Sequence, residues 1–123
     1  MKTVITTDKA PRPIGPYSQG LKAGSRIYVA GQGPMNVATG SVPEGITAQT
    51  AQVLDNIRAI LEAGGAGMDD VVKSTVHPAD LSLFKAFNEV YVTYFKEPYP
   101  VRTTVASGLP GILVEIDVIA ELS

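Results

Sequence analysis

The chain has 123 residues, ten Lys and Arg against twelve Asp and Glu for a formal net charge of −2, one histidine and no cysteine. One folded unit spanning residues 1–123 is expected at that length, and 45% apolar content is that of a globular protein, not a disordered one. The missing cysteines exclude a disulfide scaffold, a thiol nucleophile and a thiolate metal site, a lone histidine cannot build a His-rich metal centre, and no Lys/Arg run offers the footprint of a nucleic-acid binder.

Charged residues make up only 18%, against roughly 25% in typical soluble domains. Surface hidden in an oligomer would account for the shortfall. No apolar run is long enough for a secretory signal or a bilayer span, so the expected location is the cytoplasm, with no membrane partner.

In chain order, Met1 to Thr7 sets Val4 and Ile5 among threonines and reads as a short strand. Pro11, Pro13 and Pro16 then fix φ and remove donors, which makes an extended, stiff connector. Leu21 to Ala23 and Arg26 to Ala30 read as a hairpin about Gly24-Ser25, and Gly31-Gln32-Gly33-Pro34 ends its second strand. From Ile46 to Ala63 the period becomes helical, with Ala51, Leu54, Ile57, Arg58 and Leu61 at matching spacing, and Gly64-Gly65 stops the helix. Val71 to Val76 is a β-branched strand ended by Pro78. A second helix is predicted over 81–95, with Phe84, Phe87, Val90 or Tyr91, and Tyr94 along one face. Strands over 102–106 and 113–120 close the chain around the Gly108 to Gly111 turn.

Three strands, a helix, a strand, a helix and two strands predict an α+β fold, with a single mixed β-sheet and two helices on one face. No third helix is available for the other face, so self-association against it is the expected solution.

The last two strands hold the candidate chemistry. Val114, Ile116, Val118 and Ala120 alternate onto one face, and Glu115 and Asp117 onto the other. Arg102 and Thr104 share a face of the preceding strand. If the two strands pair directly, Thr104 lies near Glu115 and Arg102 near Asp117. Such a cluster is either a structural arginine–carboxylate bridge or a fork that grips a substrate carboxylate. Tyr17, after the stiff connector, either walls a pocket or packs on the sheet, and Asn88 is either a ligand donor or a solvated amide. Gly31-Gln32-Gly33 lacks the third glycine and following helix of a dinucleotide fingerprint, and Gly64-Gly65-Ala66-Gly67 lacks the Lys-Ser/Thr of a P-loop. His77, beside Pro78 and with no serine in a nucleophile-elbow context, reads as a satisfied strand-end histidine. No metal site is expected.

Ala10-Pro11 followed by Ile14-Gly15-Pro16-Tyr17-Ser18-Gln19-Gly20 resembles the N-terminal motif of the RidA family, also called YjgF. Pro100-Val101-Arg102-Thr103-Thr104-Val105, then Leu109-Pro110 and Val114-Glu115-Ile116, is similar to its C-terminal signature. Ala30-Gly31-Gln32, Leu54-Asp55-Asn56-Ile57 and Asp70-Val71-Val72-Lys73 fit between them, so the resemblance covers the chain in order. It implies a chorismate mutase-like fold and a homotrimer with clefts between subunits. It also implies cofactor-free hydrolysis of reactive 2-imino acids, released by pyridoxal-phosphate enzymes, to 2-keto acids and ammonia. By position, the resemblance gives Arg102 the substrate carboxylate and Glu115 the orientation or activation of water. Tyr17 and Asn88 would line the cleft, and main-chain groups around Gly31 and Thr104 would meet the imine. Three departures stand out: Thr104 where many members have cysteine, Ala30 where serine often precedes Gly-Gln, and His77-Pro78-Ala79 in a strand that is usually apolar. The rivals are a non-catalytic trimer that senses keto acids through the same arginine, a chaperone-like surface, and the RNA cleavage or translation inhibition attributed to some relatives, against which the acidic balance argues.

Overall fold

The computed structural model describes residues 1–123. Its elements are β1 (Lys2–Ile5), β2 (Gly20–Ala23), β3 (Arg26–Gln32), α1 (Ile46–Ala63), β4 (Val71–Pro78), α2 (Phe84–Tyr94), β5 (Val101–Thr104) and β6 (Val114–Glu121). Single 3₁₀ turns at Met68–Asp70 and Leu81–Leu83 lead into β4 and α2. The strands form one mixed six-stranded sheet in the order β1-β2-β3-β6-β4-β5. Every neighbouring pair is antiparallel except β4 and β5, which run parallel because α2 carries the chain back over the sheet between them.

Alternation along the strands delivers the core. Ile27 and Val29 of β3, Val76 of β4, and Val114, Ile116, Val118 and Ala120 of β6 all point under the helices and are buried. Helix α1 answers with Val53, Leu54, Ile57, Ile60 and Leu61, each at 0% exposure. Its apolar stripe therefore follows Val53 and Ile60 instead of Ala51 and Arg58. Arg58 lies outside, its guanidinium 5.0 Å from the centre of the Tyr94 ring. Tyr94 donates its hydroxyl to Asp55 at 2.8 Å, and burial with that bond pushes its phenol up to about 12. Truncating Ile57 to alanine is expected to cost about 2–5 kcal/mol, seen as a lower urea midpoint, because it opens a void under the centre of the sheet.

The other face has no helix. It carries Tyr28 of β3, Thr75 and His77 of β4, Val101 and Thr103 of β5, and Glu115, Asp117 and Ile119 of β6. Tyr28 and Val101 are exposed there, as is Val4 of β1.

Direct pairing of the last two strands does not occur. The α2 crossover returns the chain parallel to β4 and onto its free edge, so β5 becomes an edge strand. The connection after β5 continues along β4, with Val105 N–H donating to Val76 O and Ser107 N–H to Pro78 O, before β6 enters the gap between β3 and β4. Arg102 pairs with buried Ser74 and Thr104 with buried Val76, which puts both on the helix-covered face. Glu115 and Asp117 lie on the open face, so Arg102 does not meet Asp117, nor Thr104 Glu115, within one protomer.

Candidate active site

Arg102 rises from the edge strand beneath α2. Phe84, Phe87 and Tyr91 recur at helical spacing on the face of α2 turned to it, and the guanidinium carbon lies 5.4, 5.6 and 4.8 Å from their ring centres. The Tyr91 hydroxyl is hydrogen-bonded to Ser74 Oγ at 2.7 Å in the interior, which fixes the ring that lies nearest the guanidinium. Burial pushes the Tyr91 phenol up, so it stays protonated at neutral pH. Aromatic faces hold the cation, and although the Tyr91 hydroxyl lies within its reach, most of its five N–H donors are left for a ligand. Arg102 joins none of the ion pairs of the chain, and its planar fork remains free for an anion. Beside it runs an open groove of about 480 Å³ lined by Asn88, Tyr91, Val92, Tyr99, Pro100 and Arg102. One cation, one amide and apolar walls suit a small carboxylate with a short side chain.

A second cluster lies on the open face, where β3 meets β6. Val29 pairs with Val118 and Gln32 with Ile116, so Ala30 and Gly31 together oppose the single residue Asp117. This bulge bends β3 and exposes its backbone next to Glu115. A Cβ on Gly31 would collide with the Glu115 carboxylate, 3.1 Å from its Cδ. Gly31 does not have positive φ, so the glycine is needed here for that close approach and not for a turn. Glu115 is half-buried and has no ion-pair partner.

Tyr17 sits apart, half-exposed at the rim of the proline-rich connector, with its ring against Gly15. Gln19 anchors that connector. Its buried amide accepts from Thr7 N–H at 2.8 Å and donates to the carbonyl oxygens of Thr7, Ala10 and Pro11 at 3.1, 3.1 and 2.8 Å. Replacing Gln19 with alanine is expected to destabilise the fold by about 1–3 kcal/mol, because buried main-chain groups lose their partner. Amide exchange at Thr7 should accelerate more than exchange in α1, which would locate the effect in the connector.

Five of the six predicted site residues thus fall into two groups, with Tyr17 apart from both. Arg102, Asn88 and Thr104 share the helix side of the β5 edge; Gly31 and Glu115 meet on the opposite face. Sequence reasoning missed Tyr91 with Ser74, although Tyr91 was one of two residues consistent with that helix face. It also missed the surroundings of His77, whose Nδ1 lies 3.0 Å from Ser107 Oγ and whose Nε2 lies 3.4 Å from Asp117 Oδ2. The alternation of Lys73, Thr75 and His77 along β4 was the available signal that His77 faces the open side.

Residues 7–122 match the family described as Endoribonuclease L-PSP. The crystal structure of RidA from the Antarctic bacterium Psychrobacter sp. PAMC 21119 superposes with a TM-score of 0.93 at 44% identity, over 98% of this chain and 99% of that one. The chain belongs to the RidA/YjgF family. Other relatives agree over the full length. The 2-iminobutanoate/2-iminopropanoate deaminase of Escherichia coli is 42% identical over 98% of both chains. A RutC family protein of Pyrococcus horikoshii is 51% identical, again over 98% of both. The mixed six-stranded sheet under two helices is the RidA fold, as the order of elements along the sequence predicted. No helix of this RidA family member is long and apolar enough to cross a membrane.

Proposed function

We propose that the protein is a hydrolytic deaminase that converts small, reactive 2-imino acids to 2-keto acids and ammonia without a cofactor. The observation that carries this reading is Arg102, a guanidinium oriented by three aromatic rings, unpaired, and opening onto a groove that also holds Asn88. A relative 42% identical that is named 2-iminobutanoate/2-iminopropanoate deaminase supports it.

The site is assembled between neighbouring copies, in a ring of three. Arg102 and Glu115 lie on opposite faces of one sheet, so one protomer cannot present both to a small molecule. A second copy packed on the open face brings its Glu115 to the first copy's Arg102, and the uncovered face supplies the contact. Tyr17 and Asn88 line the cleft, and main-chain groups at Gly31 and Thr104 meet the imine end.

The chemistry needs little else. Arg102 holds the substrate carboxylate through paired N–H donors. Glu115 takes a proton from a water molecule as its oxygen bonds to the imine carbon and the C=N π pair moves to nitrogen. The proton passes to nitrogen, giving a carbinolamine; Glu115 then takes the hydroxyl proton as the carbonyl forms and returns it to the nitrogen, which leaves as ammonia with the C–N bonding pair. Positioning and general acid–base transfer are sufficient, the latter worth about 10²–10⁴-fold. The cytoplasm, beside the pyridoxal-phosphate enzymes that release such imines, is the matching location.

RNA cleavage, the activity in the family description, has less support: the net charge is −2 and the groove holds a single cation. The test couples a threonine or serine dehydratase to the protein and follows capture of the imine by semicarbazide. The protein should lower the semicarbazone yield by hydrolysing the imine first; an unchanged yield across several 2-imino acids would contradict the reading.

A further inference from the structure

The chain has one histidine, and the fold brings a serine and an aspartate to its two ring nitrogens. His77 Nδ1 lies 3.0 Å from Ser107 Oγ, and Nε2 lies 3.4 Å from Asp117 Oδ2. An ionised Asp117 can only accept, so the proton of the neutral ring sits on Nε2. Nδ1 then keeps its lone pair for the Ser107 hydroxyl. The Val105 carbonyl oxygen is a second acceptor for that hydroxyl, but it lies further away, at 3.4 Å. A hydroxyl on a base, with the base oriented by a third group, is the arrangement that activates a serine as a nucleophile.

The backbone holds the serine in place. Val105 N–H donates to Val76 O and Ser107 N–H to Pro78 O, both at 3.0 Å, so the connection after β5 is pinned to the strand that carries His77. Pro78 is the last residue of β4, which puts the cluster at the margin of the open face. The next residue, Gly108, is exposed, and its N–H has no partner within the chain. A Cβ built on Gly108 would meet nothing within 4 Å, so there is room beside Ser107 for an acyl group and a free donor for its oxygen. Asp117 and Glu115 set two carboxylates on this face, which disfavours an anionic substrate.

We propose that Ser107, His77 and Asp117 form a second hydrolytic site, which cleaves short, uncharged acyl esters through an acyl-serine. It uses neither Arg102 nor Glu115 and is independent of the deaminase reading. Ser107 Oγ bonds to the ester carbonyl carbon as its proton moves to His77 Nδ1 and the carbonyl π pair moves to oxygen, which the Gly108 N–H stabilises. The C=O bond re-forms as the bond to the alcohol oxygen breaks. That oxygen keeps the bonding pair and takes the proton from His77. Water, deprotonated by the same nitrogen, then attacks the acyl-serine and releases the acid and the free hydroxyl. Asp117 is partly exposed, which weakens its hold on the ring and sets a modest rate.

The protein is treated with diisopropyl fluorophosphate at about pH 8, above the usual histidine range, and the adduct is located by peptide mass spectrometry. A phosphoryl group on Ser107 is expected, together with hydrolysis of 4-nitrophenyl acetate above the buffer rate. Ser107→Ala should lose the adduct and lower the hydrolysis rate about 10²-fold. His77→Gln keeps the serine without its base, so labelling and hydrolysis should fall by a similar factor, and Asp117→Asn should give a smaller loss in both. Thermal unfolding of each variant confirms that the fold is kept. An unlabelled Ser107 in wild type, or labelling undiminished in folded His77→Gln and Asp117→Asn, would overturn the proposal and leave the three residues as a clamp that fastens the β5–β6 connection to the sheet.

Discussion

Replacing Arg102 with alanine is expected to lower kcat/KM for 2-imino acid hydrolysis by about 10²–10³-fold, with the fold intact. The size of the effect follows from the setting of the side chain. Phe84, Phe87 and Tyr91 stack around the guanidinium and leave most of its donors for a ligand. A substrate carboxylate bound there gains a bidentate, charge-assisted pair that nothing else in the groove replaces, since Asn88 is the only other polar side chain apart from the tyrosine hydroxyls. Truncating one partner of such a pair typically costs about 2–5 kcal/mol, which spans the predicted range. Arg102→Lys keeps the charge and loses the fork, so it should fall between wild type and alanine. Stability should change little, because Arg102 lies on an edge strand and belongs to no ion pair. Steady-state kinetics beside thermal unfolding checks both halves. An alanine variant within about threefold of wild type would show that the carboxylate is anchored elsewhere.

Glu115→Gln is expected to act on the other kinetic constant. It should lower kcat by about 10²–10⁴-fold while leaving KM nearly unchanged, because the amide cannot take a proton from water but the arginine anchor remains. Binding of a 2-keto acid, measured by calorimetry, should survive. That split separates an enzyme from a carboxylate sensor, in which Glu115 would be dispensable. Gly31→Val supplies an independent approach to the same group. Any β-carbon at Gly31 meets the Glu115 carboxylate, so the valine should swing it out of place and reproduce most of the loss in kcat. The backbone at Gly31 has no positive φ, so the variant should fold. A fully active Gly31→Val protein would mean that the position of Glu115 is unimportant for turnover.

Local pattern carried much of the fold. Helical spacing ended by Gly64-Gly65 gives α1 at Ile46–Ala63, and alternation in the last strand separates its buried residues from Glu115 and Asp117. Relations between distant strands were less accessible. Alternation tells which residues of one strand share a face, but not which face of the next strand matches it. That depends on pairing and register. The proximity of β5 and β6 in sequence suggested a hairpin; the α2 crossover made β5 a neighbour of β4 instead, and put Arg102 and Glu115 on opposite sides. The bulge at Ala30-Gly31 also arises from pairing and left no local trace beyond the glycine. His77 shows the same limit, since Ser107 and Asp117 stand 30 and 40 residues away in sequence and meet it only through the sheet. The proposed residue roles rest on family resemblance, which periodicity could not replace. The resemblance pointed to Arg102, Glu115, Gly31, Asn88, Thr104 and Tyr17 together; within one protomer the geometry sets Arg102, Asn88 and Thr104 on one face of the sheet, Gly31 and Glu115 on the other, and Tyr17 apart.

The division into half-sites can be tested directly by mixing two inactive variants. Arg102→Ala retains Glu115, and Glu115→Gln retains Arg102. The two are unfolded together in equal amounts, refolded, and assayed for 2-imino acid hydrolysis beside each variant refolded alone. If every cleft draws its arginine from one copy and its carboxylate from the next, random assembly restores both groups in about a quarter of the clefts, and activity should return towards that fraction of wild type. Activity no higher than that of either variant alone would contradict a shared site and place the chemistry within a single protomer.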